Sequence, residues 1–184
     1  MLAGRFTFYT MTFSPITMAK ESFFIRGKVG GGTGAFIQTE IDIGHVVDAL
    51  GKTVMRIHNV AAQVWENAPR QEFSMLNNTG ARIAWQLTTS SQTDIVDATD
   101  RSVIATGALD LANTSTGNQA TTISDRADVL PQHWTNGFLV GVDQLYLGIY
   151  ADTQLSEANV ALVLECTAET LSQSAAMSLA LSQQ

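Results

Sequence analysis

Ile37-Gln38-Thr39-Glu40-Ile41-Asp42-Ile43 sets Ile or Thr at every odd position and a polar residue at every even one. Successive side chains of a strand point to opposite faces, so this period of two describes a strand with one buried face. The same alternation recurs outward to Thr167, interrupted by Gly, Asn, Asp, Thr and Pro. It predicts eight strands, at 36–43, 53–65, 81–88, 101–106, 120–124, 137–142, 144–151 and 158–167. A chain built almost wholly of short alternating strands is a sandwich or a barrel.

Two strands carry further detail. Between residues 53 and 65, Met55 and Ile57 share one parity, whereas Val60, Ala62 and Val64 share the other. A change of phase inside a continuous strand predicts a β-bulge near His58 and Asn59. In the last strand Val160, Leu162, Leu164 and Cys166 share one face, and Val163 adds an apolar residue to the other. Cover on both faces predicts a central place in a sheet. Ile41, Ile43, Ile57, Trp85, Leu147 and Leu162 are the expected core.

The 184 residues suffice for one all-β domain with a sizeable core. Charged residues make up 15%, against a usual value of about a quarter. Thr, Ser, Asn and Gln supply the polarity instead, and such a surface costs little to desolvate against a neighbour. An ordinary neutral β-domain is the alternative reading of that composition.

The net charge of −7 is unevenly spread. Residues 1–35 carry Arg5, Lys20, Arg26 and Lys28 against Glu21, and everything beyond them is acidic overall. A basic, aromatic arm therefore precedes an acidic body. The arm suits a membrane surface, a polyanion or an acidic neighbour. The acidic body argues against direct nucleic-acid binding, which needs cationic patches. Phe6, Phe8, Tyr9, Phe13 and Ile16 are mixed with Thr7, Thr10, Thr12, Ser14 and Thr17, too polar a mixture for a signal-peptide core. No apolar run reaches transmembrane length.

No catalytic motif stands. Gly30-Gly31-Gly32-Thr33-Gly34-Ala35 spells a dinucleotide loop, but a strand follows where the pyrophosphate needs a helix N-terminus. A flexible hinge is the expected role. His45, His58 and His133 form no metal-binding pair, and the single Cys166 falls on an apolar strand face, as a buried inert thiol does. No enzyme activity and no cofactor are expected. Asp94, Asp97 and Asp100 form a loop that could hold a divalent ion, with a solvated acidic loop as the stronger expectation. Trp134, in a loop after Pro131, could stack on a sugar ring, with a core or subunit contact as the stronger expectation. In the C-terminal tail, Leu171, Ala175 and Leu179 recur at helical spacing and Thr170 to Gln173 fits a capping box; an extended tail is the alternative.

These strands, the basic aromatic arm and the tail together resemble the single jelly-roll capsid protein of an icosahedral virus. The resemblance covers the whole chain as a pattern and carries no diagnostic motif. It implies an eight-stranded jelly-roll β-sandwich at 35–167, an N-terminal arm with a glycine hinge at 1–34 and a short C-terminal tail at 168–184. It implies a structural subunit that self-assembles into a shell, located in the virion and assembled in the host cytoplasm. Its partners would be further copies and other capsid proteins. Because the arm is only weakly basic, a shell over an internal membrane, or over a genome packaged by other means, is expected rather than one that condenses naked RNA. Phe6, Phe8, Phe13, Phe23, Phe24 and Arg26 are the expected assembly arm, and Gly30, Gly31, Gly32 and Gly34 its hinge. A phage tail or spike module and a carbohydrate-binding β-sandwich are the rival readings.

Overall fold

The structure is a computed structural model and describes residues 21–31, 33–48, 52–69 and 71–183. Its strands are β1 (Phe23–Gly31), β2 (Phe36–Asp42), β3 (Thr53–Glu66), β4 (Thr79–Thr88), β5 (Val103–Asn113), β6 (Thr122–Val129), β7 (Phe138–Val140), β8 (Gln144–Ala151) and β9 (Ala158–Thr170). Helix α1 (Gln173–Ser182) follows them, and a single 3-10 turn at Pro131–His133 joins β6 to β7. The strands form two antiparallel sheets, ordered β1-β9-β3-β7 and β2-β8-β4-β5-β6.

The pairings nest. β4 pairs with β5, β3 with β7, β2 with β8 and β1 with β9. Such a chain is one long folded hairpin whose successive levels alternate between two sheets, which is the jelly roll. β9 also pairs with β3, and β8 with β4, so each sheet is continuous. β6 adds a further strand outside β5.

The core lies between the sheets. Ile41, Ile43, Ile57, Trp85, Leu147 and Leu162 are all buried in it, as their alternation predicts. β9 is central, and its Val160, Leu162, Leu164 and Cys166 are fully enclosed. The register of β3 on β9 shifts between Ile57 and Asn59, so the bulge sits where the phase changes. His58 is the residue it leaves over, and its Nε2 lies 2.9 Å from Thr167 Oγ1.

The expected strand set needs one correction. β1 opens the jelly roll, yet it lies within the segment assigned to the arm, and the eight-strand set counts β6 in its place. Phe23, Ile25, Gly27 and Val29 share the inward face, and Gly27 hides the pattern because it presents no side chain. A Cβ there would overlap Cδ1 of Ile41. The glycine thus marks close packing between the sheets rather than freedom. The sandwich accordingly begins at Phe23 and not at residue 35.

The hinge is corrected with it. Gly30 and Gly31 pair with Asn159 and Ala158 inside the sheet. Gly34 turns the chain into β2 at φ +77°, its N–H donating to the Ala151 carbonyl at 2.7 Å. Gly32 lies outside the described residues. The tail is helical, but its N-cap is Ser172 rather than Thr170, with Ser172 Oγ accepting from Ala175 N–H at 3.3 Å. Gln183 then fastens it to the sandwich. Its amide donates to the Leu139 carbonyl at 2.6 Å and accepts from Gly141 N–H at 2.8 Å, and its carbonyl accepts from Thr89 Oγ1 at 2.7 Å.

Candidate interaction surface

The residues that could carry chemistry are kept apart or used structurally. No group of three or more His, Cys, Asp and Glu side chains converges among the described residues. Cys166 is fully enclosed, and burial, with Glu165 nearby, pushes its thiol up to about 12. A thiol held protonated in this way is a poor nucleophile. Asp97 and Asp100 turn back on their own loop. Asp97 accepts from the hydroxyl and N–H of Thr99, and Asp100 from those of Ser102, which holds both carboxyls below the usual range.

That acidic loop is also anchored in a way its composition does not reveal. Gln86, buried on the outer side of β4, donates to the Asp94 carbonyl at 3.0 Å and accepts from Val96 N–H at 2.9 Å. A second unpredicted anchor is Glu66, at the end of β3 and fully buried. Its carboxylate accepts from Ser74 N–H at 2.6 Å, Ser156 N–H at 2.9 Å and Ser156 Oγ at 3.0 Å, so it staples two loops to the strand. The one available signal is an acidic residue directly after the buried Trp65.

Three arginines of the body are paired with carboxylates. Arg56 makes two 2.9 Å bonds to Glu169, which raise its pKa further. Asp110 accepts from Arg82 Nε at 2.6 Å and lies 3.2 Å from Arg126 Nε. This triad crosses β4, β5 and β6, and the Arg82 bond holds the Asp110 carboxyl below the usual range.

The two long sides of the sandwich differ. On the β1 and β2 side the sheets meet over the buried Val29, Ile41 and Ile43, with Phe23, Ile25 and Ile37 half-buried and only Thr39 of the inward positions exposed. On the β3 and β6 side they gape. Val60, Ala62 and Val64 pair with the inward residues Leu164, Leu162 and Val160, so they too face inward. Yet only Val60 is buried; Val64 is half-buried and Ala62 exposed. Opposite them, Ile123 and Asp125 pair with the inward Leu111 and Leu109 and are likewise uncovered, Ile123 being 54% exposed. Between lies a cleft of about 410 Å³ walled by Val60, Ala62, Val64, Trp85, Leu109 and Leu130, with Asp125 at its side.

The main chain is unfinished on that side as well. β7 pairs only with Met55, Arg56 and Ile57 of the fourteen residues of β3. At Val60 the Gln132 amide stands in for a strand, accepting from the Val60 N–H and donating to its carbonyl, each at 3.1 Å. In an antiparallel strand alternate residues direct both backbone groups to the same side. The N–H and C=O of Ala62 and Val64 therefore point the same way as those of Val60, and no strand meets them among the described residues.

The expected site residues distribute as follows. Phe23 packs against the core of its own domain, while Phe24 is 55% exposed and Arg26 projects from the outer face. Phe6, Phe8 and Phe13 lie outside the described residues. Trp134 follows the Pro131–His133 turn with 56% of its surface exposed, near the unfinished edge of β3.

No protein-family model and no curated protein matches this sequence. Among solved structures, one of Desmodium yellow mottle tymovirus is similar at 7% identity, with 90% of this chain and 97% of the other covered. Its TM-score is 0.33, and the jelly-roll assignment rests on the nested strand order of this chain.

Proposed function

We propose that this chain is a non-enzymatic structural subunit that self-assembles into a viral shell. The observation that carries the reading is the gaping β3 and β6 side, where inward-facing residues and strand-edge groups are left uncovered by the chain's own sheets. A sandwich closed on one side and unfinished on the other is completed by a neighbour. The uncharged polar surface fits repeated burial in a lattice. The chain beyond residue 35 is acidic overall, and its Arg56, Arg82 and Arg126 are already paired with carboxylates, which disfavours phosphate there. The weakly basic first 35 residues then suit the surface of an internal membrane. In this reading the protein resides in the virion, beside further copies and other capsid proteins, after assembly in the host cytoplasm.

The native mass of the purified chain in near-physiological salt, with micrographs of the same sample, tests this. Closed shells or capsomer-sized rings are expected. Trimers joined into fibres would favour a tail or spike module instead. A persistent monomer would overturn self-assembly by this chain alone. A second reading has its own observation in the exposed ring of Trp134. Carbohydrate binding predicts weak sugar affinity by the monomer that Trp134→Ala abolishes.

A further inference from the structure

We propose that the cleft between β3 and β6 is a strand-acceptor site, and that its occupant is the stretch around residues 6–13 of a second copy of this chain. The acceptor is defined by backbone as well as side chains. β7 and Gln132 use the edge of β3 only as far as Val60, which leaves the edge groups of Ala62 and Val64 open to pair with an added strand. The inward-facing Ala62 and Val64, with Leu109 and Leu130 of the cleft wall, supply an apolar floor to one side of that strand. Backbone pairing along an open edge with alternate side chains seated beneath is a recurrent mode of segment recognition.

The occupant follows from the chain that precedes β1. Twenty residues reach at most roughly 66 Å at about 3.3 Å per residue, so residues 1–20 are long enough to meet a neighbouring copy. By parity Phe6 and Phe8 share one face of an extended segment and Tyr9, Met11 and Phe13 the other, so either face brings aromatic side chains to an apolar cleft, and the register of the cross-link decides which. Pro15 ends the run, since proline cannot extend a paired ladder. The segment carries Arg5 and Lys20 and no carboxylate, and the cleft's one charged wall residue is Asp125. Donor and acceptor lie on opposite edges of the four-stranded sheet, for residue 22 leads into β1 whereas the open edge belongs to β3. A donor on one edge and an acceptor on the other produce head-to-tail association, which gives a ring where the rotation between copies closes and a filament where it does not.

The inference rests on the self-association reading only in taking a second copy as partner, and its test is independent of shell formation. Full-length Ala62→Cys is mixed in turn with each of four full-length variants that carry one cysteine at position 6, 7, 8 or 9, and gently oxidised. Cys166 is enclosed and should stay silent. A covalent dimer linking Ala62→Cys to one register of the series is expected, with no dimer from the outward-facing control Ala61→Cys, which lies outside the cleft. Ala62→Pro, which removes an edge N–H without touching the β9 ladder, should lower the yield on the order of tenfold at unchanged circular dichroism. No cross-link at any register would overturn the proposal. So would a disulfide that forms only within one chain carrying both cysteines, because the segment would then fill its own cleft. Cross-linked dimers without shells would sink the shell reading and leave this one standing; shells without cross-links would do the reverse.

Discussion

The two long sides of this sandwich are made from similar sequence and end in different states. On the closed side Gly27 lets Ile41 settle against β1, and Val29 is buried. On the open side Ala62 and Ile123 occupy inward positions by register and remain exposed. Alternation states which face of a strand a residue occupies. Whether that face is covered depends on how far the opposite sheet reaches, and β6 stands outside β5 without a partner strand across from it. The lesson is that inward is a property of register, whereas buried is a property of the neighbour.

The largest expected effect sharpens that contrast. Leu147, at the centre and fully enclosed, should cost about 2–5 kcal/mol when truncated to Ala, because the surroundings cannot collapse around the lost methyls. Leu109 walls the cleft, where solvent already reaches, so Leu109→Ala should cost only about 1–2 kcal/mol. Chemical denaturation of the two variants under conditions that keep the chain monomeric gives both numbers. Equal losses would mean that the open side is closed in solution.

Next comes the end of β3 that borders the cleft. Glu66→Gln replaces a carboxylate that satisfies three donors by an amide that must turn an N–H₂ toward one of them. A loss of about 1–3 kcal/mol is expected, together with faster proteolysis in the loops around Ser74 and Ser156. An unchanged midpoint would show that the two loops hold their places without the staple. Smaller again is a matched pair of methyl-sized changes. Gly27→Ala should cost about 1–3 kcal/mol through overpacking against Ile41, whereas Ala62→Ser should stay within about 0.5 kcal/mol. A costly Ala62→Ser in the monomer would break the comparison outright.

How much was legible in the sequence follows the same division. The fold class, the bulge at His58, the central place of β9 and the buried state of Cys166 and Trp85 all follow from parity, which local composition records. β1 was concealed because one of its inward positions is the side-chain-free Gly27. Its glycines suggest mobility on composition alone, while Gly30 and Gly31 in fact pair with β9. The cleft was not legible at all. It depends on β7 stopping after three residues and on Gln132 reaching back to Val60 across 72 positions of sequence, and neither leaves a local mark. Glu66 is similar, since its donors come from loops that meet only in the folded chain.

The last prediction compares two thiols. Cys166 pairs in register with Phe23 on one side and Ile57 on the other, and is fully enclosed. In the chain carrying Ala62→Cys, the added thiol lies on the open side while Cys166 lies in the closed centre. At pH 8 a small thiol reagent should modify position 62 quickly. Cys166 should wait for global unfolding, slower by about a thousandfold or more. The pH dependence runs in a defined direction. Burial raises the folded thiol from 9.0 to about 12, so the folded state favours the protonated form. The stability linked to this group is complete below about pH 9 and declines as pH rises from there through about 12. Cys166→Ala lacks this dependence, so the difference in denaturation midpoint between the two chains should shrink over that window. A difference that stayed constant, or equal labelling of the two thiols, would mean that the centre opens as readily as the edge. The distinction between covered and merely inward-facing residues would then fail for this molecule.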